Sequence, residues 1–409
     1  MTDDASSFLG EAKALGRAIA DRAVPVKDGS VSWWNTGVKP PAGLGPHFYE
    51  GTTGVAFFLA ALARTLGPEE GRETAELARR AIAPIRNQLR RLAADPERAA
   101  TIPMKVGAVI GLGAYVYTFL HLAEWLGEPE LLAEAHAVAG LITPERIAAD
   151  RSLDIATGSA GALLALLRLA RAGGGEEPPP GGLGPAARAS LCGEHLLRQR
   201  VTHRDEPPSW STDGMRPFCG YLHGAAGFAA ALKRLAEVSP DPELRVAVDQ
   251  ALAFERFHFD AAAGNWPDLR TPGNPFMVAW CHGAAGVAVG RLALLPEIAD
   301  EKVQAELAAA LDTTRDCREQ VADHLCCGNL GRAEILHEAS RVLGDESLER
   351  GARELARLTA ERAAGRYRYS HDRQDTNFSP AFFRGAAGIG YSFLRFADPE
   401  SLPCVLTFQ

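Results

Sequence analysis

The chain has 409 residues, of which 46% are apolar and 23% charged, as in globular proteins that bury a large core. Its formal net charge of −8 argues against nucleic-acid and anionic-membrane binding, because proteins that bind those partners are basic. The N-terminus, MTDDASSFLGEAKALGRA, lacks the apolar core of a secretory signal, and no apolar run reaches about 18 residues. Seven cysteines, an odd number, indicate a reducing compartment, so we expect a cytoplasmic protein without nucleic-acid or membrane partners.

Strand patterns are scarce, and the chain reads as nearly all-α. Short glycine turns recur, and each opens a segment that is apolar on nearly every side. In chain order these segments are GTTGVAFFLAALA (51–63), GLGAYVYTFLHLA (111–123), GSAGALLALLRLA (158–170), GAAGFAAALKRLA (224–236), GAAGVAVGRLALL (283–295), GNLGRAEILHEAS (328–340) and GAAGIGYSFLRFA (385–397). A helix that is apolar all round is buried, so the pattern predicts seven buried helices.

More amphipathic segments, such as 73–93 and 300–322, lie between these and predict outer helices. Successive units have room for two helices and two loops, which predicts an α/α toroid of about seven inner and seven outer helices in one domain, residues 1–409. An open α-solenoid is the alternative. We expect glycine at the turns because it adopts positive φ at little cost. Residues 172–185, AGGGEEPPPGGLGP, are predicted to form a surface loop.

Reactive side chains recur at fixed offsets before the first glycine of these turns. Cys281 and Cys326 lie at −2, Cys327, His223 and His282 at −1, and Asp154 at −4. If the repeats are structurally equivalent, these side chains share one rim of the ring, at the N-terminal ends of inner helices. Residues far apart in the chain then converge on one site.

Three thiols around one point suit a soft divalent metal, and zinc takes cysteine sulfur in a tetrahedral shell. A catalytic zinc keeps three protein ligands and one open position. A structural zinc is the alternative, with Cys281, His282, Cys326 and Cys327 closing a four-ligand shell. A third interpretation leaves the cysteines as small core residues, but the joint pattern favours the metal.

Motifs along nearly the whole chain agree in order and spacing with one known family. They are VSWWNTG, FYEGTTGVAFFLAALA, LDIATGSAGALLAL, YLHGAAG, NWPDLR, AWCHGAAG, LCCGNLG and FFRGAAGIGYSFLRFADPESLPCVL. The chain resembles the lanthipeptide cyclases, or LanC-like proteins, and most closely the C-terminal cyclase domain of class II lanthipeptide synthetases. The resemblance implies a zinc-bearing α/α toroid.

The resemblance also implies a zinc site, formed by Cys281, Cys326 and Cys327. Cys327 stands where most members have histidine, which makes this chain a CCG variant. Met277 stands where some members carry an arginine, so any role of that arginine is lost or supplied elsewhere.

The implied reaction adds a peptide cysteine to a dehydroalanine or dehydrobutyrine of the same precursor, forming a lanthionine or methyllanthionine ring. Zinc would remove the thiol proton. The resemblance implies His223 and Asp154 in proton transfer and its support, because histidine titrates near neutral pH and a carboxylate can orient it. His282, beside the metal, is the alternative proton donor.

Alternatives to this function stay open. Eukaryotic LanC-like proteins add glutathione instead, and a precursor-binding module with a structural zinc would be non-catalytic. A toroid glycosidase would need paired carboxylates, and Asp154 has no partner at an equivalent offset. Class II synthetases carry a dehydratase domain before the cyclase, so the chain is either a free-standing cyclase or an excised domain. Its expected partners are a dehydrated precursor peptide and a dehydratase domain or protein.

Overall fold

The computed structural model describes residues 3–36, 41–174, 182–271, 273, 275–375 and 377–408. Within these residues, seven inner helices each begin at a glycine turn. They are α2 (Thr52–Glu70), α5 (Leu112–Trp125), α8 (Ser159–Ala172), α10 (Ala225–Ala236), α12 (Ala284–Leu294), α14 (Asn329–Leu343) and α16 (Ala386–Ala397).

Seven outer helices pack against the inner ones. They are α1 (Asp3–Ala20), α3 (Arg72–Ala94), α6 (Glu130–Gly140), α9 (Pro185–Arg198), α11 (Pro242–His258), α13 (Glu301–Asp316) and α15 (Glu346–Ala363). Each of the last six packs on the inner helix that precedes it in the chain, whereas α1 packs on α16.

Two short helices and three small hairpins complete the described structure. The helices are α4 (Pro96–Thr101) and α7 (Pro144–Ala149). The antiparallel hairpins pair β1 (Val24–Pro25) with β2 (Val31–Ser32), β3 (Trp34–Asn35) with β4 (Ala42–Gly43), and β5 (Arg200–Val201) with β6 (Ser209–Trp210). Among the described helices, none has the length and apolarity that a membrane crossing requires.

The inner helices form a closed ring. Each contacts the next along the chain, and α16 contacts α2, so the last repeat meets the first. The prediction of an α/α toroid with seven inner and seven outer helices is confirmed for the described residues, and the open solenoid is wrong. Because α1 precedes the first inner helix but packs on the last, the N-terminal segment fastens the two ends of the ring together.

Burial follows the apolar pattern of the sequence. Every residue of α12 is buried, as is the first part of α2, from Thr52 to Ala63. In α3 the buried residues recur at helical spacing along one face, from Ala78 to Leu92. Inner helices are therefore enclosed by their neighbours in the ring and by the outer helices, whereas outer helices keep one face in solvent.

Two expectations about helix boundaries and loops have different outcomes. The amphipathic segment 300–322 is helical only to Asp316, because Cys317 is extended (φ −61°, ψ 131°) and the chain turns inward toward the next inner helix. Half of the predicted surface loop at 172–185 lies outside the described residues, since 175–181 are not described. Its described ends join α8 to α9.

The turn glycines serve close backbone approach more than positive φ, which corrects the expectation from sequence. Among the first glycines of the turns, Gly283 (φ 79°) and Gly111 (φ 154°) have positive φ, and the other five are extended. The later, helix-opening glycines lie inside the inner helices. There an added Cβ at Gly331 or Gly388 would lie 1.9 Å from the carbonyl oxygen of the residue six positions earlier. No side chain fits against that carbonyl.

Gly388→Ala is therefore expected to destabilise the protein by at least about 1–3 kcal/mol, the usual cost of overpacking a core. The new methyl group would meet the Phe382 carbonyl, which is backbone and cannot rotate away. Gly351→Ala, in outer helix α15 with no atom within 4 Å of the added Cβ, is the matched control and should stabilise by about 0.5–1 kcal/mol. Urea unfolding midpoints measure both, and equal midpoints would contradict the close-approach role.

Candidate metal centre

Backbone hydrogen bonds join the glycine turns into one rim of the toroid. The Ile155 amide donates to the Leu222 carbonyl at 3.2 Å, linking the turns before α8 and α10. The Cys326 amide donates to the Phe383 carbonyl, and the Phe383 amide to the Tyr49 carbonyl, each at 3.0 Å. Turns that are hundreds of residues apart in the chain are thereby held side by side.

Buried polar side chains fix the turns that carry the predicted site residues. The Asp150 carboxylate accepts from the amide that opens α8 at 2.7 Å. Glu255, from outer helix α11, accepts from the Ala226 amide at 3.1 Å, and Asn265 accepts from the Ala284 amide at 2.8 Å. These contacts use amides that the first turn of a helix leaves unpaired. The rim is therefore rigid backbone rather than free loop.

The three cysteines singled out from sequence meet on this rim. The sulfurs of Cys281, Cys326 and Cys327 all lie within 4.8 Å of one another. Cys281 and Cys326 are buried and Cys327 is partly exposed. Thiolates bound at about 2.3 Å to a tetrahedral zinc lie roughly 3.8 Å apart, so this cluster fits a three-sulfur zinc site with small side-chain shifts. The exposed side of Cys327 leaves room for a further ligand.

Hydrogen bonds within the cluster shift the pKa values of the three thiols in different directions. Hydrogen bonds from Cys281 and then Cys326 lower the pKa of Cys327 to about 4. Donating to Cys326 and Cys327, together with burial, raises the pKa of Cys281 well above its usual value. Cys326 accepts from Cys281, which lowers its pKa, but donation to Cys327 and burial outweigh this and raise it. The hydrogen bonds therefore favour the thiolate form at Cys327 over that at Cys281 or Cys326.

His223 and Asp154 form a hydrogen-bonded pair on the same rim. His223 Nδ1 lies 2.6 Å from Asp154 Oδ2. Oδ1 of the same carboxylate accepts from the Thr157 amide at 2.8 Å, which fixes its orientation. The Asp154 side chain is 1% exposed and that of His223 is 29% exposed. The arrangement is a buried carboxylate that orients an accessible imidazole.

His282 follows Cys281 in the chain and is fully buried. Its ring stacks on that of His223 with centroids 5.6 Å apart, and its Nδ1 donates to the Cys219 carbonyl at 3.3 Å. Burial, followed by the positive charge of Arg270 and then by His223, lowers the pKa of His282 to about 3. His282 is therefore a neutral ring at physiological pH.

The offset rule could have found two further residues of the site. Tyr49 lies two residues before the first glycine of its turn, as Cys281 and Cys326 do, and its hydroxyl donates to Cys326 Sγ at 3.0 Å. Arg384 lies one residue before its glycine, the offset of Cys327, and its positive charge helps to lower the pKa of that thiol. Both follow from the same register of the repeats.

No offset points to Arg270, because it comes from the loop between α11 and α12. Its guanidinium donates twice to the Asp268 carboxylate, at 2.9 and 2.7 Å. Nη2 also lies 3.6 Å from the Met277 sulfur. A cation thus stands beside the position where some relatives of the resembled family have an arginine.

Fold and site together define an α/α toroid with a metal-capable cluster of thiols on one rim. The profile of the family described as lanthionine synthetase C-like protein matches residues 44–407. The chain belongs to this family, which confirms the family resemblance inferred from its motifs. The finer resemblance to class II synthetases stays a prediction. A search of curated protein sequences finds no significant match.

One solved structure shows the same fold, and others match more loosely. Nisin cyclase matches with a TM-score of 0.61 at 14% sequence identity, over 88% of this chain and 92% of that chain. A sugar epimerase from a ruminal bacterium matches more loosely, with a TM-score of 0.45, 12% identity and coverage of 78% and 100%. An unsaturated glucuronyl hydrolase specific for heparin gives 0.44, 13%, and 81% and 88%. Family membership, together with the nisin cyclase fold, supports a thioether-forming enzyme.

Proposed function

We propose that the chain is a zinc-dependent lanthipeptide cyclase, a single domain of residues 1–409. It would join a cysteine of a dehydrated precursor peptide to a dehydroalanine or dehydrobutyrine of the same peptide, forming a lanthionine or methyllanthionine thioether. The observation that carries the proposal is the cluster of three sulfurs on the rim that also bears the His223–Asp154 pair. Membership of the lanthionine synthetase C-like family supports it.

The three cysteine sulfurs of the cluster are ligand atoms that zinc prefers, which supports a zinc site. Cys281, Cys326 and Cys327 would hold the ion, and a bound zinc would supply the acidity that turns a substrate thiol into a thiolate at neutral pH. Three protein ligands leave one position for that thiol. Tyr49, which donates to Cys326, orients one sulfur of the cluster.

His223 would act as the general acid. When a thiolate sulfur bonds to the β-carbon of the dehydro residue, the electron pair of the double bond moves toward the α-carbon and its carbonyl. The α-carbon then takes a proton, which His223 can deliver from Nε2 because Nδ1 is held by Asp154. Asp154 is a positioning residue in this scheme. The partly exposed side chain of His223 can recover a proton from water.

His282 is the poorer acid of the two histidines. A buried neutral ring whose Nδ1 hydrogen already serves the Cys219 carbonyl has no proton to deliver readily. Its stacking on His223 supports a positioning role instead. We thus assign His282 to the support of the catalytic ring, and the proton to His223.

Two arginines would stabilise the negative charge that develops on the substrate carbonyl. The positive charges of Arg270 and Arg384 both act on the thiols, and neither side chain is buried. Arg270 stands beside Met277 and can supply the role that an arginine at that position would have. Oriented cations near a developing enolate act most strongly where water is excluded.

The substrate requires prior dehydration of serine or threonine, so a dehydratase domain or protein must act first. Thiol chemistry of this kind suits the cytoplasm, where cysteines stay reduced, and all seven cysteines are free. The glutathione-adding reaction and the non-catalytic peptide-binding module are the competing functions. Each predicts a different fate for the peptide thiol.

The testing experiment incubates the purified protein with a dehydrated peptide that contains one cysteine, with and without glutathione. Loss of alkylatable peptide thiol without change in mass supports the cyclase. A mass increase equal to glutathione would support the glutathione-adding reaction. Binding of the peptide with its thiol still alkylatable would overturn catalysis and leave a binding module.

Zinc binding to the metal-free protein is expected to release about two protons near pH 7, since thiol ligands bind as thiolates. Cys281 and Cys326 are protonated there, whereas Cys327, with its pKa of about 4, is not. Zinc affinity should therefore rise with pH across the neutral range. Titration calorimetry in two buffers of different ionisation enthalpy counts the protons, with Cys317→Ser as control. Release of about three protons would contradict a thiolate at Cys327.

A further inference from the structure

A second group of metal-capable side chains touches the thiol cluster without belonging to it. One ring nitrogen of His324, the sulfur of Cys327 and one ring nitrogen of His371 all lie within 4.8 Å of one another. His371 Nε2 is 3.2 Å from Cys327 Sγ, and the two imidazoles meet edge to face with centroids 5.8 Å apart. Cys327 is the member that the two groups share.

The fold supplies these two histidines from opposite directions. His324 is fully buried and begins the turn before α14, at the −4 offset that Asp154 has before α8. Its Nδ1 faces the Cys327 amide at a long 3.4 Å, and its buried Nε2 has no hydrogen-bond partner among the described residues. His371 is exposed and comes from the segment between α15 and α16. A buried polar atom without a partner in the protein is open to a ligand or a water.

Two imidazoles and a thiolate are a donor set that zinc and similar cations prefer. Three protein ligands again leave a position for water or another group. Magnesium and calcium are disfavoured because they take oxygen ligands.

Each group is close-set enough to hold a metal ion of its own. No single group of mutually close donors unites the two imidazoles with all three sulfurs. A thiolate sulfur has several lone pairs and can bridge two cations. One divalent ion among three thiolates leaves a net charge of −1, whereas a second ion held by neutral imidazoles brings the total to +1. The excess negative charge of the thiol cluster therefore favours a second cation.

We propose that His324, Cys327 and His371 form a second binding position for a zinc-like divalent cation, bridged to the first through the sulfur of Cys327. The inference is independent of the cyclase proposal, because metal binding is measured without peptide.

The test titrates the metal-free full-length protein with Co²⁺ and follows thiolate-to-cobalt absorption together with equilibrium dialysis. The wild-type protein should bind two equivalents, the second with a changed thiolate absorption. His371→Ala should bind one, and folding is secure there because the side chain is exposed. His203→Ala is the control and should bind two, since His203 belongs to neither metal-capable group of described residues.

His324→Gln gives a second variant that retains polarity at the buried site and should also bind one equivalent. Circular dichroism checks its folding. One equivalent in the wild-type protein, or two in His371→Ala, would overturn the second position. Loss of all cobalt from His371→Ala would also overturn it, because His371 would then belong to the first site.

Discussion

Replacing Cys326 and Cys327 together with serine is expected to remove zinc and abolish thiol consumption. Two of three sulfurs disappear from the cluster, and the single thiol of Cys281 cannot hold the ion. The wild-type protein should contain about one zinc per chain after removal of weakly bound metal, and the variant close to none. Metal analysis and alkylation of the peptide thiol are measured on the same preparations.

The matched control for this double variant is Cys317→Ser, which removes a thiol outside the cluster. It should retain both zinc and activity. Zinc retained in full by the double variant would contradict the ligand assignment and return these cysteines to the core. Zinc lost while ring closure continued would contradict the role of the metal, and the proposed mechanism with it.

His223→Asn is expected to slow ring closure by about 10²–10⁴-fold, the usual contribution of a general acid. Asparagine can still bond Asp154, so the turn should keep its shape, but it has no proton to give. Zinc content should be unchanged, because His223 belongs to neither metal-capable group of described residues. Initial rates of thiol loss measure the effect, and the pH dependence of the rate should change with it.

His282→Asn separates the two histidines. Because this ring is buried and neutral, its replacement should lower the rate less than that of His223, and the pH dependence should be retained. If His282→Asn instead gave the larger loss and altered the pH profile, the acid would be His282. If His223→Asn lost zinc as well as activity, its role would be structural.

Repeat register explains why so much of the site could be predicted from sequence. The inner helices are apolar on all sides and recur with a glycine turn, so their N-terminal ends had to be equivalent positions of one architecture. That equivalence correctly brings Cys281 to Cys326 and Cys327. Applied to every turn, it would also have indicated Tyr49 and Arg384. The site residues can be predicted because they lie at the same few positions before the turn glycine in different repeats.

The sequence wrongly predicts positive φ at most of the turn glycines, and the reason is local. Glycine is known for positive φ, and the sequence alone cannot distinguish that use from close backbone approach. Glycine is required at position 388 because an added Cβ would lie 1.9 Å from the Phe382 carbonyl oxygen. Such a contact exists only once the turn has folded back on its own helix.

Local periodicity in the sequence predicts the alternation of buried and half-buried helices and the offsets that gather the thiols, but it leaves both a closed toroid and an open solenoid possible. The packing of separate turns closes the ring and decides which histidine is accessible, because that packing buries His282 and leaves His223 partly exposed. It also decided that Arg270 and His371 reach the centre. Both come from segments without repeat register, and only the closure of the ring brings those segments over the rim.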